Sequence, residues 1–147
     1  MSTATHLDSF PIYALSVSLL VLNLFFLAFI TAAGRGKTKS LLNPEDKGFQ
    51  DGKGEHETVA RASRAHRNAI ENMLPFVAIG LLYVMTVGSP LGAKVYFGIF
   101  VVTRWLHSIV YLAGKQPWRT IFFVIGSLSL IGMTIQVLIW SAGALLK

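Results

Sequence analysis

From residue 11 to residue 33 the chain carries no charge, and only Ser16, Ser18, Asn23 and Thr31 interrupt its apolar run. A helix of that length, rising about 1.5 Å per residue, crosses roughly 30 Å of hydrocarbon, so the run predicts a transmembrane helix. No lysine or arginine precedes it, and it exceeds a signal-peptide core, so it is read as a retained span. A second helix is expected over 58–87, charged in its first half and apolar from Met73 onward, with Pro75 kinking it just past the charges. Gly88-Ser89-Pro90 then supplies a helix stop, an N-cap and a proline at the first position of a third helix over 90–113. Gly114 and the turn Lys115-Gln116-Pro117 lead into a fourth helix over 117–146, whose Gly126, Ser127, Ser129 and Gly132 permit close packing. A polar, glycine-bearing loop over 34–57 is the single long connection. The pattern therefore predicts an all-α integral membrane protein, a four-helix bundle in one domain spanning 1–147.

Composition sharpens this picture. The 147 residues are 53% hydrophobic and only 14% charged, with a mean hydropathy of +0.57, outside the usual range of soluble domains. The formal charge is +6, and Arg35, Lys37, Lys39, Lys47, Lys53, Arg61, Arg64 and Arg67 make up eight of the thirteen Lys and Arg. By the positive-inside rule the long loop and the turn at Lys115 face the cytoplasm, with both termini on the opposite side. No basic face is interleaved with stacking aromatics, so the charge is not a nucleic-acid footprint. The absence of cysteine excludes disulfides, thiolate metal sites and a protein thiol nucleophile, so any sulfur chemistry needs a thiol brought by a substrate. Nor does any internal repeat or broken helix pair suggest a transporter.

The chemistry concentrates in Arg61 to Phe76. Arg64, Arg67, Asn68 and Glu71 fall at i, i+3, i+4 and i+7 and share one helical face, with His66 pointing elsewhere. A simpler reading is a basic helix end at a membrane surface with an Arg67–Glu71 pair. Counting outward from Ser89 puts Glu71 level with His107 and Arg67 level with Tyr111, and counting from the second turn puts Tyr111 level with Arg119 or Thr120. Arg104 lies deeper, where an arginine costs about 2.5 to 3.5 kcal/mol without a polar partner. An Arg104–Glu71 ion pair is one such partnership. It leaves a surplus, because Arg64, Arg67, Arg104 and Arg119 would then converge on one carboxylate, and surplus cation in a half-buried pocket predicts an anionic ligand. His107 has no companions at metal-ligand spacing and is read as structural.

Arg64-Ala65-His66-Arg67-Asn68 with Glu71 and Pro75-Phe76, Arg104-x-x-His107 with Tyr111, and Pro117-x-Arg119 closely resemble the MAPEG superfamily, membrane-associated proteins of eicosanoid and glutathione metabolism. The loop words Asn43-Pro44-Glu45-Asp46 and Gly52-Lys53-Gly54-Glu55 look most like the branch of the microsomal glutathione transferases and microsomal prostaglandin E synthase. The resemblance implies a homotrimer of four-helix subunits with glutathione held between neighbours near the cytoplasmic side. Arg64, His66, Arg67, Asn68, Glu71, Arg104 and Tyr111 match its glutathione-contacting motifs, and Arg35 matches an arginine that reaches in from the adjacent subunit. Arg119 matches the arginine that holds the thiolate, Asp46 a helper aspartate in the loop, and Thr120 stands where relatives have serine or alanine. The implied activity is conjugation of glutathione to hydrophobic electrophiles from the membrane lipid, together with reduction of lipid hydroperoxides. A glutathione-dependent isomerase and a non-catalytic lipid-binding partner protein are the alternatives within the same superfamily. No metal is implied.

Overall fold

A computed structural model describes residues 8–46 and 54–147. Among the described residues four helices make up the fold: α1 Phe10–Thr38, α2 Glu57–Thr86, α3 Pro90–Leu112 and α4 Trp118–Leu145. Each is long and apolar enough to cross a membrane. The chain is thus an all-helical, multi-pass membrane protein. Lys47 and Lys53 of the long loop, with the first half of its Gly52-Lys53-Gly54-Glu55 word, lie outside the described residues.

Helix α1 does not stop at residue 33. It runs to Thr38 and ends on Lys39 in the left-handed region at φ 55°. Gly34 survives inside it because the helix passes close to α2 there: a Cβ at Gly34 would stand 3.1 Å from Val59. The extension matters because it turns Arg35 from a loop residue into a helical one with a fixed direction. At about 1.5 Å per residue α1 and α2 each reach roughly 45 Å, about three turns more than the hydrocarbon needs. Their charged ends therefore project together beyond the apolar layer.

The packing is sequential and compact at the opposite end. Helix α1 lies against α2 and α3, and α4 against α3 and α2. Phe76 stacks on Phe100 at 4.4 Å, and Phe97 meets Phe76, Tyr13 and Tyr83 edge-on, all five rings being buried. Helix α2 runs unbroken through Pro75, which is exposed, so the amide it lacks is lost on the outer face and not in the core. Around this core Leu15, Leu22, Phe29, Leu74, Met85 and Leu138 are exposed, as expected where hydrocarbon replaces water.

Because lipid is as apolar as leucine, interhelical hydrogen bonds and small residues do much of the joining. Ser108 Oγ donates to Asn23 Oδ1 at 3.0 Å, Trp105 Nε1 to the Leu19 carbonyl at 3.1 Å, and Tyr13 to the Val77 carbonyl at 2.9 Å. Gly126 is buried where α4 crosses Arg104: a Cβ there would stand 2.8 Å from Thr103 Oγ1 and 3.0 Å from Arg104 Nε. Ser129 donates to the Tyr96 carbonyl at 2.7 Å, whereas Ser127 bonds only its own helix at Phe123.

The α2–α3 turn matches its sequence signals. Gly88 takes φ 62° and its N–H reaches the Tyr83 carbonyl at 2.9 Å, while Ser89 Oγ accepts from the Gly92 N–H at 3.1 Å ahead of Pro90. Ser89→Ala removes that cap and is expected to lower stability by about 1 kcal/mol, seen as a lower midpoint of thermal unfolding in detergent with little change elsewhere. A midpoint equal to that of the unaltered protein would show that the proline alone starts α3.

Candidate functional site

The charged helical face of α2 does not close into one pocket. Its residues separate into two clefts on different sides of the helix. The first, about 300 Å³ between α1 and α2, is lined by Thr31, Arg35, Ser63, His66, Arg67, Ile70 and Glu71. The second, about 200 Å³ where α2 meets α3 and α4, is lined by Asn68, His107, Tyr111, Arg119, Thr120 and Phe123. Helical periodicity explains the split. At 100° per residue, Asn68 lies roughly 130° round α2 from the centre of the first cleft's residues. The arc shared by Arg64, Arg67, Asn68 and Glu71 is the ridge between the clefts, and Arg64, Arg67 and Glu71 on it are exposed.

In the first cleft Arg35 is anchored from the side. Its Nη2 donates to Glu55 Oε1 at 3.2 Å and to Ser63 Oγ at 3.4 Å, and Ser63 Oγ also reaches Glu55 Oε1 at 3.4 Å. This small net aims the guanidinium while leaving its Nε buried without a partner among the described residues. Arg67 and His66 stand on the facing turn of α2, with Glu71 one turn further on and in no ion pair among the described residues. His66 thus faces the cleft with Arg67 and Glu71, contrary to the expectation from the charged arc, because a cleft between two helices takes in more than one narrow stripe. The cleft presents separated cations and one free carboxylate, a set suited to a zwitterion with more negative than positive groups.

The second cleft has a different character. Arg119 Cζ lies 4.7 Å from the centre of the Tyr111 ring, and His107 meets the same ring edge-on at 5.5 Å. Counting about the α3–α4 turn foresaw that meeting of Tyr111 and Arg119. Asn68 presents a buried Oδ1 that has no partner among the described residues, while Asn72 holds its backbone carbonyl at 2.8 Å. Among the described residues no carboxylate lines this cleft, so a cation on an aromatic face stands uncompensated beside two hydroxyl groups. That arrangement binds an anion or a group becoming one.

Several expected groupings are not present. Arg104 makes no pair with Glu71. It is buried between α3 and α4, donating from Nη2 to the Phe123 carbonyl at 3.0 Å, with its guanidinium 5.2 Å and 5.3 Å from the Phe100 and Phe123 ring centres. Its Nε and Nη1 have no partner among the described residues. Counting along a helical hairpin fixes height but not direction, and Arg104 points to the α4 side while Glu71 points to the α1 side. Arg64 likewise turns back to Glu57 at 2.9 Å, so the four arginines do not converge on Glu71. Asp46 closes its own turn, accepting from the Asn43 N–H at 3.4 Å, and lines neither cleft. Among the described residues no group of His, Asp and Glu is placed to hold a metal.

Sequence reasoning missed Thr31, Ser63, Glu55 and Phe123. Ser63 precedes Arg67 by four residues, and that spacing marks it as a neighbour on the same face. Glu55 and Phe123 carried no such signal, because their roles depend on which elements pack together.

The chain matches the model of the MAPEG family over residues 13–139. It is 39% identical to the microsomal glutathione S-transferase 1 of Rattus norvegicus over 130 residues, covering 82% of this chain and 81% of that protein. It is also 32% identical over 139 residues to the prostaglandin E synthase of Equus caballus, covering 92% of this chain and 90% of that protein. The human prostaglandin E synthase is 33% identical over 137 residues, with 90% and 89% covered. With its four spanning helices, its cationic clefts and a family match running from α1 to near the end of α4, the chain belongs to the MAPEG family.

Proposed function

We propose that this protein is a membrane-bound glutathione transferase that works as a homotrimer, with each glutathione held between two subunits near the cytoplasmic face. One observation carries the reading: the residues suited to glutathione are divided between two clefts, one shaped for a zwitterion and one for a sulfur anion, with the charged ridge of α2 exposed between them. A second copy covering the exposed ridge joins the first cleft of one subunit to the second cleft of the next.

Glutathione brings two carboxylates, one ammonium and one thiol. Arg35, Arg67 and Arg64 of the first cleft and its rim take carboxylates, Glu71 takes the ammonium, and His66 donates from the same wall. The neighbour's second cleft receives the thiol end. There Asn68 contacts the peptide, and Arg119, Tyr111 and Thr120 face the sulfur. A free thiol with a pKa of about 8.5 is only about 3% thiolate at pH 7, and a nearby cation lowers that pKa by about one to two units. In conjugation the thiolate pair forms a carbon–sulfur bond while the leaving group departs with its own pair. With a lipid hydroperoxide the sulfur takes the terminal oxygen and releases an alcohol, and a second glutathione converts the sulfenic acid to disulfide and water. The apolar electrophile reaches the site from the surrounding lipid. Asp46 serves at most as a loop helper in this scheme.

A second reading, a glutathione-dependent isomerase, draws on the prostaglandin E synthases that the chain resembles over nine-tenths of its length. Both readings need a bound thiolate. An ultraviolet difference titration of the detergent-solubilised protein with glutathione is expected to show thiolate absorbance saturating near neutral pH. Comparing turnover on an aryl halide, a lipid hydroperoxide and an endoperoxide then separates transferase, peroxidase and isomerase. Absence of any thiolate or turnover would move the assignment to a lipid-binding partner protein.

A further inference from the structure

Gln116 sits in the turn between α3 and α4, outside both sets of cleft-lining residues, yet it touches the two residues that begin α4's contribution to the second cleft. With its amide oxygen toward Arg119, Gln116 accepts from Nε at 3.2 Å and from Nη2 at 2.7 Å, while its amide nitrogen donates to Thr120 Oγ1 at 3.2 Å. The reverse orientation would set N–H against N–H, because a guanidinium has only donors. Chemistry therefore fixes which end of the amide faces which partner.

Two consequences follow. Arg119 is gripped at two nitrogens by a neutral group, so its position over Tyr111 is fixed without its charge being cancelled, and no carboxylate pairs with it among the described residues. Thr120 is the other beneficiary. Thr31, Thr86, Thr103 and Thr134 each donate their hydroxyl proton to the carbonyl four residues back. Thr120 makes no such bond, and its oxygen instead accepts from Gln116, which leaves its proton as the free end of the hydroxyl in a cleft that it lines.

We propose that Gln116 is a positioning residue of the thiolate site, a neutral clamp that keeps Arg119 uncompensated and turns the Thr120 hydroxyl to donate into the cleft. The inference rests on the glutathione reading above and adds to it the device that arms the sulfur site. A carboxylate at the same position would reverse both effects: it would pair with Arg119 and accept the Thr120 proton itself.

The test uses full-length protein in detergent, with Q116E, Q116A and T120V, reading glutathione affinity by calorimetry and the pH midpoint of bound-thiolate absorbance separately. Q116E is expected to raise the midpoint by about one pH unit, a tenfold loss of thiolate below it, with affinity changed less than about threefold. Q116A should raise it by less, and should still do so if the glutamate variant does not fold. In a T120V background the Q116E shift should shrink, because the hydroxyl it redirects is gone. Midpoints of Q116E and Q116A equal to that of the unaltered protein, with glutathione bound, would overturn the clamp and leave the transferase reading standing. An unaltered protein that binds no glutathione would overturn both.

Discussion

Arg119→Ala is expected to move the pH midpoint of bound-thiolate absorbance upward by about one to two units, back toward the value of free glutathione. The sign follows from charge: the guanidinium favours the thiolate over the thiol, and its removal leaves only neutral donors from Tyr111 and Thr120. At pH 7 the thiolate fraction would fall roughly tenfold or more. Turnover should fall by less, because a thiolate of higher pKa is the better nucleophile, and that gain offsets close to half of the loss on a logarithmic scale. The gap between variant and unaltered protein should therefore close as pH rises past about 9, where both are ionised. Arg119→Lys keeps the charge but cannot lie flat on Tyr111 while donating to Gln116 from two nitrogens, so its midpoint should fall between the two. An Arg119→Ala protein that binds glutathione with an unshifted midpoint would remove Arg119 from thiolate stabilisation.

That Arg119 and Tyr111 stand together was legible before any coordinates, because a tight turn forces equal heights on the residues either side of it. The membrane fold was equally legible, since four long apolar runs with capped breaks admit few arrangements. Heights alone misled for Arg104 and Glu71. Their direction depends on which neighbours flank α2, and no sequence spacing encodes that α1 takes one side while α3 and α4 take the other. The same blindness hid the division of the charged arc into two clefts: its residues do share a face, but that face is a ridge. The helical setting of Arg35 came from α1 continuing through Gly34 and Gly36 to Thr38, past the end of the apolar run where the sequence pattern ends the helix. Gln116 was invisible for another reason. Its partners lie three and four residues ahead at the start of a helix, where a polar residue ordinarily signals only a turn.

The division of the site between clefts makes a sharper demand than any single substitution. Arg67→Ala damages the first cleft, Arg119→Ala the second, and each homotrimer should turn over poorly at limiting glutathione. Mixed trimers, formed by co-expressing the two chains with different affinity tags and purifying through both, contain interfaces of four kinds. Where the first cleft of an Arg119→Ala subunit meets the second cleft of an Arg67→Ala subunit, every side chain of that site is intact. Random pairing in a cyclic trimer makes such interfaces about a quarter of the total, and selection through both tags raises the share to about a third. Activity near that fraction of the unaltered enzyme, with a matching fraction of sites giving thiolate at neutral pH, is the expected outcome. If one subunit instead supplied both clefts to each glutathione, every site in every mixed trimer would carry at least one lesion, and mixing would restore nothing. The placement of Arg35, Ser63 and His66 on one flank of the α2 ridge and of Tyr111 and Arg119 on the other favours the first outcome, because a tripeptide bound to one chain alone would have to pass over the ridge.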